Sequence, residues 1–215
     1  MNFKVLHIYG AGGHGRVVAD SAIRAGIPNV VFVDDQPKGV LLQGWPVVDT
    51  QSISDIVWRQ SNFIVAIGVN SVRAEIFDRL RTLGGIPVSV LDPFSSISRH
   101  AIIGPGSFVA PGAIINTSSQ IGSNCIINTA ACIDHDCVLG NHTQVSPHAC
   151  LAGNVHLGEE TMIGIGATIV PGRTIGRRAI IGAGAVVTRD LPENVRAWGV
   201  PARVISGYGD SGKFV

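Results

Sequence analysis

A repeat of six residues, running from position 97 to position 187, constrains the fold of this chain more than any other feature. Every sixth position in this range is aliphatic, and most of these side chains are β-branched. The repeated positions are Ile97, Ile103, Val109, Ile115, Ile121, Ile127, Ile133, Leu139, Val145, Leu151, Leu157, Ile163, Ile169, Ile175, Ile181 and Val187. A period kept for this length indicates a stacked structural unit rather than an ordinary sandwich of alternating strands.

The repeat predicts a parallel β-helix. Two residues before each aliphatic the side chain is usually small, and residues two apart point to the same side of a strand, here inward. One residue after the aliphatic, Gly recurs, as at Gly104, Gly122 and Gly140, and we expect it to give the backbone freedom for a corner. Three hexads then close one turn. Each buried aliphatic contributes about 1.5–3 kcal/mol, so the column of aliphatics is the main stabilising element.

The residues before the repeat predict a different architecture. Apolar strand-like runs alternate with amphipathic segments, which is typical of a small α/β domain with a parallel sheet. The predicted strands cover 3–9, 30–33, 63–67 and 88–91, and the predicted helices cover 16–25, 52–60 and 71–83. We therefore expect an α/β domain over 1–93, the β-helix over 94–205, and a loose polar tail over 206–215.

Charge and composition exclude several classes of function. Lys plus Arg number 16 against 15 for Asp plus Glu, and without a basic run nothing favours nucleic acid or an anionic membrane as a partner. No apolar run is long enough to cross a bilayer. No signal peptide is recognisable, so we expect a cytoplasmic protein. The four cysteines form no C-x-x-C pair, and we expect small apolar fillers rather than disulfides or metal ligands.

A glycine-rich loop follows the first predicted strand. Gly10-x-Gly12-x-x-Gly15 lies between a strand and a helix, as in Rossmann-like βαβ units, where backbone N–H groups at a helix start bind phosphates. The loop predicts a nucleotide or phosphate site, although a tight turn that needs glycine is the alternative. His14 in this loop can donate to a phosphate or to a sugar hydroxyl.

Two further strand ends belong to the same sheet edge. Asp34 and Asp35 end the second predicted strand, and Gly68 follows the third. Ligands of open α/β sheets bind at the carboxyl ends of the strands. The two carboxylates can accept hydrogen bonds from a ribose or a base there, or they can simply lie in a solvated turn.

One histidine of the repeat has acidic neighbours. His135 lies two places beyond an inward Ile, which puts it at an outward corner, and Asp136 follows it directly. A carboxylate can orient an imidazole and raise its basicity, which suits a general base. A surface histidine without a catalytic role is the alternative.

Taken in chain order, these features resemble the hexapeptide-repeat sugar acyltransferases, the group that includes the sialic-acid O-acetyltransferases and the N-acetyltransferases of nucleotide-linked 4-amino sugars. The resemblance covers residues 3–205. It rests on the glycine loop, Asp34-Asp35, Gly68-Val69-Asn70, Asn128-Thr129, His135-Asp136 and Gly199-Val200-Pro201-Ala202.

The resemblance implies a left-handed β-helix, a homotrimer with active sites between subunits, and acetyl-CoA as co-substrate. It implies transfer of an acetyl group to the 4-amino group of a nucleotide-linked sugar, with a UDP-linked sugar favoured over dTDP or GDP. The implied catalytic pair is His135 and Asp136. The implied substrate-binding residues are Gly12, Gly13, His14, Asp34, Asp35 and Gly68. The residues implied to bind acetyl-CoA are Gln144, Gly153, Ile165 and Ala183. Asn128 is implied as a further active-site residue. Relatives often carry His at position 144, so Gln144 is a departure.

Three other functions remain open from the sequence. An O-acetyltransferase of a free sugar acid, such as sialic acid, would use the same β-helix. A zinc lyase of the γ-type carbonic anhydrase kind would need three histidines at one metal, but His142 and His148 are six residues apart and should lie on different sides of a three-hexad coil. A nucleotide-sensing scaffold would bind nucleotide without transferring an acetyl group.

Overall fold

The computed structural model describes residues 5–37, 41–42 and 44–207. The first part of the chain forms a six-stranded sheet with a helix after its first and its fifth strand. Its strands are β1 (Leu6–Tyr9), β2 (Val30–Asp34), β3 (Leu41–Leu42), β4 (Trp45–Asp49), β5 (Asn62–Val65) and β6 (Ile86–Pro87), and its helices are α1 (Gly13–Arg24) and α2 (Asn70–Thr82).

The sheet has the order β3-β4-β2-β1-β5-β6, and only β3 runs antiparallel to its neighbour. The central strand β1 pairs with β2 on one side and with β5 on the other. The carboxyl ends of these three strands therefore lie side by side, and the predicted α/β fold is confirmed.

Three local predictions need correction. Helix α1 begins at Gly13 rather than at position 16, because the glycine loop itself forms the first turn. The predicted helix over 52–60 is two 3-10 helices, Thr50–Ser52 and Asp55–Trp58, each started by a side-chain cap. The predicted strand over 88–91 is wrong: Ile86–Pro87 completes the sheet, and Val90–Leu91 pairs with the β-helix instead.

The rest of the described chain is the predicted left-handed parallel β-helix, and its strands form three faces. Face 1 contains β7 (Val90–Leu91), β10 (Phe108–Val109), β13 (Ile126–Ile127), β16 (Gln144–Val145), β19 (Met162–Ile163), β22 (Ile180–Ile181), β24 (Val195–Trp198) and the antiparallel β25 (Arg203–Gly207). Face 2 contains β8 (Ser96–Ile97), β11 (Ile114–Ile115), β14 (Cys132–Ile133), β17 (Cys150–Leu151), β20 (Thr168–Ile169) and β23 (Val186–Val187). Face 3 contains β9 (Ile102–Ile103), β12 (Gln120–Ile121), β15 (Val138–Leu139), β18 (His156–Leu157) and β21 (Thr174–Ile175).

The aliphatic column lies on the axis of the three-sided β-helix, which we call the prism, as predicted. Its members from Val109 to Val187 are buried in one cluster, and Ile97 and Ile103 at the open end are partly buried against it. The stack continues beyond position 187, since Val195–Trp198 pairs with β22. Residues 208–215 of the predicted tail lie outside the described residues, and the boundary at position 93 stays a prediction.

The corners are made differently from the prediction. A left-handed backbone recurs every six residues, three places after each aliphatic from Ile103 to Ile181, as at Gly112, Ala130 and Asp136. The glycines one place after the aliphatic do not have a positive φ. They are needed because a Cβ on Gly104 would lie 2.6 Å from the carbonyl carbon of Gly122 one coil further on. We call Gly104, Gly122, Gly140, Gly158 and Gly176, which all meet the next coil in this way, the glycine ladder.

The α/β part packs on face 1. Phe108 and Ile126 belong to the same buried cluster as Ile8 and Val18 of the α/β part. The fully buried Arg73 of α2 joins the two parts, because its guanidinium donates to the carbonyl oxygens of coil residues, Asn124 at 3.0 Å among them. The first coils of face 1 are thus covered by the α/β part, and the corner between faces 2 and 3 lies on the other side of the β-helix.

Candidate active site

The glycine loop turns tightly between β1 and α1. Gly10 has φ +109°, and a Cβ on Gly15 would lie 2.0 Å from the carbonyl oxygen of Gly10, so both glycines are required by the turn. Gly12 and Gly68 are different. Both are exposed, and a Cβ on either would meet nothing within 4 Å. Packing among the described residues therefore gives no reason why these two positions hold glycine. A ligand that approaches the backbone closely would give one.

The N-terminal end of α1 is open toward this edge. Gly12 caps the helix without a side-chain hydrogen bond, and the first turn holds no acidic residue. Gly13 is the first residue of the helix and is exposed. Free backbone N–H groups at a helix start favour an anion such as a phosphate.

His14 is held differently from an ordinary surface histidine. Its ring meets the edge of Phe108 at 5.5 Å between centroids, and its Nε2 is buried without a hydrogen-bond partner among the described residues. Burial, with a smaller effect from the Arg73 charge, lowers the pKa of His14 to about 4. The imidazole is therefore neutral near pH 7, and it can give one hydrogen bond and accept one.

The two predicted carboxylates end β2 beside the loop. Asp34 accepts a hydrogen bond from the backbone N–H of Ala11 at 2.7 Å and so ties the glycine loop to β2. Asp35 accepts one from the hydroxyl of Tyr9 at 2.5 Å. Gly68 follows β5 at the same edge, so the structure brings together all six predicted substrate-binding residues.

His135 lies at the corner between faces 2 and 3, as predicted, and we call residues 134–137 the histidine corner. Its side chain is 55% exposed. Asp136 has φ +59°, the left-handed conformation of the corner residues. This turn brings the Asp136 carboxylate back to the ring, and Oδ2 lies 2.7 Å from Nδ1 of His135.

The hydrogen bond to Asp136 fixes the tautomer of His135. A carboxylate can only accept, so Nδ1 carries the proton and Nε2 keeps its lone pair. The Asp136 hydrogen bond, followed by the charge of Asp134, raises the pKa of His135 above its usual value. Asp134 is itself fixed by Asn116, whose amide donates to it at 2.9 Å. The corner therefore presents an oriented base of increased basicity.

Gly153 lies directly against the imidazole. A Cβ on this residue would be 2.5 Å from Cε1 and 2.6 Å from Nε2 of His135, so any larger residue would displace the ring. The carbonyl of Gly153 accepts from Gly172, but its N–H makes no hydrogen bond among the described residues. An N–H beside a general base is suitably placed to stabilise an oxyanion.

The other predicted acetyl-CoA residues lie elsewhere. Gln144 is on face 1, nearly buried, and its Oε1 has no partner among the described residues. Asn128, Ile165 and Ala183 lie in turns between faces 1 and 2, and Ile165 is bonded to the next coil through the N–H of Gly184. Ile165 and Ala183 are exposed and stack one coil apart. They form an apolar strip along the prism.

The predicted site residues therefore form two separate groups within one chain. The glycine loop edge packs on face 1, with its Gly68 segment bonded to the corner between faces 3 and 1. Gln144 lies on face 1, and the apolar strip lies at the corner between faces 1 and 2. His135, Asp136 and Gly153 lie at the opposite corner of the triangle. One chain alone cannot bring its own His135 to its own glycine loop.

Some residues that shape the loop edge were not found from the sequence. Arg73 and Asn70 hold the Gly68 segment against the coils, with the Asn70 amide donating to Glu160 O at 2.8 Å. Tyr9 and Thr50 hold Asp35. No sequence pattern marks an arginine of an amphipathic helix as buried. The position of Tyr9 at the end of a strand, next to the loop, was the single available signal.

In the described part of the chain, no three His, Cys, Asp or Glu side chains are close enough together to hold a metal ion. His142 and His148 lie at different corners, as expected. No described helix has the length and apolar character needed to cross a membrane.

Comparisons with known protein families match both parts of the chain. Residues 5–80 match the family described as the PglD N-terminal domain, and residues 154–189 match the bacterial transferase hexapeptide repeat. These two matches coincide with the α/β part and with the last coils of the β-helix.

Solved structures resemble the chain over nearly its whole length. The acetyltransferase domain of PglB from Neisseria gonorrhoeae, also solved in complex with acetyl coenzyme A, is 38% identical, with a TM-score of 0.88 over 94% of this chain and 100% of that one. PerB from Caulobacter crescentus, solved with CoA and GDP-perosamine, is 39% identical over 96% of this chain and 99% of that one, at a TM-score of 0.88. WeeI from Acinetobacter baumannii is 30% identical over 94% of this chain and 100% of that one, at a TM-score of 0.85.

These matches place the chain in the acyltransferase class of left-handed β-helix proteins. It belongs to the hexapeptide-repeat sugar acyltransferases that carry a PglD-type N-terminal domain. The predicted family, fold and enzyme class are confirmed.

Proposed function

We propose that the chain transfers the acetyl group of acetyl-CoA to the 4-amino group of a nucleotide-linked sugar. The observation that carries this proposal is the exposed imidazole of His135, whose Asp136 hydrogen bond leaves Nε2 free to take a proton. Two relatives support the substrates, since PerB was solved with CoA and GDP-perosamine and the PglB domain with acetyl coenzyme A.

The proposed reaction needs no covalent enzyme intermediate. The sugar amine attacks the thioester carbonyl while Nε2 of His135 accepts the amine proton. The oxyanion that develops accepts a hydrogen bond from the N–H of Gly153. The carbon–sulfur bond then breaks, and the imidazolium returns the proton to the departing CoA thiolate. Asp136 keeps the ring oriented and stabilises its positive charge.

The loop edge is proposed to hold the nucleotide. The start of α1, with Gly12 and Gly13, receives the diphosphate, because its backbone N–H groups are free to bind an anion. His14 and Gly68 line the same edge, and Asp35 faces the nucleoside. We retain a UDP-linked sugar as the favoured substrate, with dTDP- and GDP-linked sugars as the alternatives, and a cytoplasmic location as a prediction.

We propose that the chain forms a homotrimer, as the family resemblance implies, and the separation of the two groups of site residues supports a site shared between subunits. If the loop edge of one subunit meets the histidine corner of the next, three subunits close into a ring with three equal sites. Acetyl-CoA would then lie between subunits. Gln144, Ile165 and Ala183 would contact it from one subunit and Gly153 from the other, and Asn128 would be a further active-site residue.

The proposal is tested by measuring CoA release with a panel of acceptors. Wild-type protein is mixed with acetyl-CoA and with UDP-, dTDP- or GDP-linked 4-amino sugars, and the products are identified by mass spectrometry. We expect N-acetylation of one nucleotide-linked amine. Equal acetylation of free sialic acid would favour the O-acetyltransferase alternative, and nucleotide binding in a thermal-shift assay without any transfer would favour the scaffold.

A further inference from the structure

The four cysteines of the β-helix occupy two kinds of position. Cys125 and Cys137 are buried at inward positions, as expected of small apolar fillers. Cys132 and Cys150 each come directly before a residue of the aliphatic column, and successive residues of a strand point to opposite sides, so their side chains point outward on face 2. Both are free thiols and only half-buried. The filler role therefore does not account for this second pair.

The two outward thiols are direct neighbours in space. Cys132 on β14 is the register partner of Cys150 on β17 in the parallel ladder of face 2. Adjacent strands of a sheet are about 4.7–4.9 Å apart, and paired residues of parallel strands point to the same side, so the two Cβ atoms are separated by about this distance. The pKa of Cys132 reflects the same proximity, because burial, followed by the Cys150 thiol, raises it to about 11, with smaller effects from Asp134 and Cys137.

This spacing suits a bridging ion better than a disulfide. A disulfide needs Cβ atoms about 3.5–4.5 Å apart, so the two coils would have to move closer together. Two sulfur atoms bound to one metal ion at about 2.3 Å each can lie up to about 4.6 Å apart, which is close to the spacing of the ladder. The raised pKa of Cys132 also keeps its thiol protonated near neutral pH, and the protonated thiol is not the form that reacts in disulfide exchange.

The number of ligands limits which ion the pair can hold. Among residues 5–37, 41–42 and 44–207, no group of three His, Cys, Asp or Glu side chains could hold a metal ion, so the four-ligand site that Zn²⁺ prefers is absent there. Sulfur ligands select soft ions, of which Cu(I) accepts two ligands. The register neighbours of the pair on face 2, Ile114 and Thr168, carry no charge that would repel a cation.

We propose that Cys132 and Cys150 form a dithiol site on face 2 that binds one Cu(I) ion. Both thiols lose their protons to the solvent, two copper–sulfur bonds form, and the complex carries one negative charge, while no atom changes its oxidation state. Each cysteine lies three residues before a residue of the proposed site of acetyl transfer, His135 in one coil and Gly153 in the next. The binding itself does not depend on the proposed function, so it is measured whether or not the chain transfers acetyl groups.

The experiment measures Cu(I) binding by the full chain under anaerobic conditions near neutral pH. The ion is supplied as its coloured bicinchoninate complex, whose absorbance falls when the protein removes copper. Released protons are counted with a pH indicator in weakly buffered solution. Cys132→Ser and Cys150→Ser each remove one outward thiol. Cys125→Ala removes a buried thiol and keeps the outward pair, so it serves as the first control.

Two further variants move the pair along face 2. Thr168 is the register partner of Cys150, and its side chain is exposed. Cys132→Ser/Thr168→Cys therefore places two thiols on adjacent strands, one coil further along. Cys150→Ser/Thr168→Cys has the same number of outward thiols, but on strands about 9.6 Å apart, twice the spacing of neighbouring strands. One ion cannot bridge that distance, so the two variants form a matched pair that differs in spacing.

We expect wild type and Cys125→Ala to bind one Cu(I) per chain with release of two protons. Cys132→Ser and Cys150→Ser should bind at least about 100-fold more weakly, because loss of a ligand costs more than the roughly 10–100-fold typical of an outer partner. Cys132→Ser/Thr168→Cys should restore binding, and Cys150→Ser/Thr168→Cys should not.

Wild-type affinity in both Cys132→Ser and Cys150→Ser would overturn the inference, because a single thiol would then suffice. So would equal binding by the two relocated pairs, release of one proton per ion, or a wild type that leaves the copper with bicinchoninate. Melting temperatures close to that of wild type exclude folding defects. The relocated pairs are compared with each other, so the spacing is tested even if a substitution on face 2 lowers stability.

Discussion

At the loop edge, polar side chains are held by partners far away in sequence. Asp34 bonds Ala11, and Asp35 bonds Tyr9, across two strands of the sheet. At the histidine corner the imidazole of His135 is bonded to the very next residue, and its side chain is more than half exposed. The loop edge is thus organised within one subunit. The histidine corner has an oriented base, but the base is exposed to solvent on the surface of the β-helix.

Under the proposed function, this difference is the reason why each group would need the other. A general base works in a site that excludes water and fixes the nucleophile, and an exposed corner does neither. The loop edge has an open helix start and the exposed Asp35 carboxylate, and burial lowers the pKa of its His14 to about 4, so this imidazole is a weak base. A neighbouring subunit would complete both.

The largest expected effect comes from removing the base. His135→Ala should lower kcat by roughly 10²–10⁴-fold, the usual range for a general base, because no other group takes the amine proton. His156→Ala is the matched control, since His156 is an exposed histidine on face 3 bonded to Asn154. Equal turnover of wild type and His135→Ala, measured by CoA release, would remove His135 from the mechanism. Nucleotide affinity should not change.

Mixed assemblies test whether the two groups meet between subunits. Gly12→Asp places a negative charge where the diphosphate is expected and should be inactive, as should His135→Ala. When the two variants are unfolded and refolded together in equal amounts, random pairing should restore activity to about a quarter of that of wild type. The measurement is CoA release against mixing ratio. Persistent inactivity in assemblies that size-exclusion chromatography shows to be mixed would mean that each site lies within one chain.

A smaller effect is expected from crowding the imidazole. Gly153→Ala would place a methyl group 2.5 Å from Cε1 of His135 and displace the ring. Misplacement of a catalytic group by about 1 Å can cost up to about 10²-fold, so we expect a fall of kcat by about 10–100-fold. In a His135→Ala background the same substitution should have no further effect. An equal fall in both backgrounds would show that Gly153 acts independently of His135.

The smallest change concerns pH dependence. His135 must be unprotonated to act as a base, so kcat/KM should rise with pH through its raised pKa. Asp136→Asn removes the largest cause of that elevation, so the rising limb should move to lower pH while the plateau falls by about tenfold. Profiles of kcat/KM across the neutral range measure both. A rising limb that stays at the wild-type pH would exclude Asp136 as the partner of the titrating group.

The sequence predicted the β-helix because a six-residue period can be met by few folds. The position of His135 at an outward corner followed from counting in the same register. The pattern separates Gly104, one place after an aliphatic, from Gly112, three places after one, but it does not show that the first avoids a clash with the next coil and the second adopts a positive φ. Val90–Leu91 was assigned to the wrong sheet because a short apolar run fits either one.

The loop edge was less predictable than the corner, for a physical reason. The motif residues Gly10 to Gly15 have a recognisable spacing, but the residues that hold the edge together come from separate elements. Arg73 bonds Asn124, 51 positions away, and Arg79 bonds Tyr9, 70 positions away. Such contacts depend on how the α/β part is placed on the coils. A single sequence does not contain that information.

The glycine ladder restricts how a chain of this kind can change in length. One coil is 18 residues long, since Gln120 pairs with Ile102. Each glycine of the ladder lies against the backbone of the next coil, at Pro192 and Glu193 in the case of Gly176. An insertion of one whole coil would lengthen the prism and leave the angular position of every side chain intact. An insertion of six or twelve residues that continued the repeat before residue 134 would move all later residues to another face and carry the imidazole of His135 to a different corner. Changes in the length of the β-helix are therefore expected to occur in whole turns.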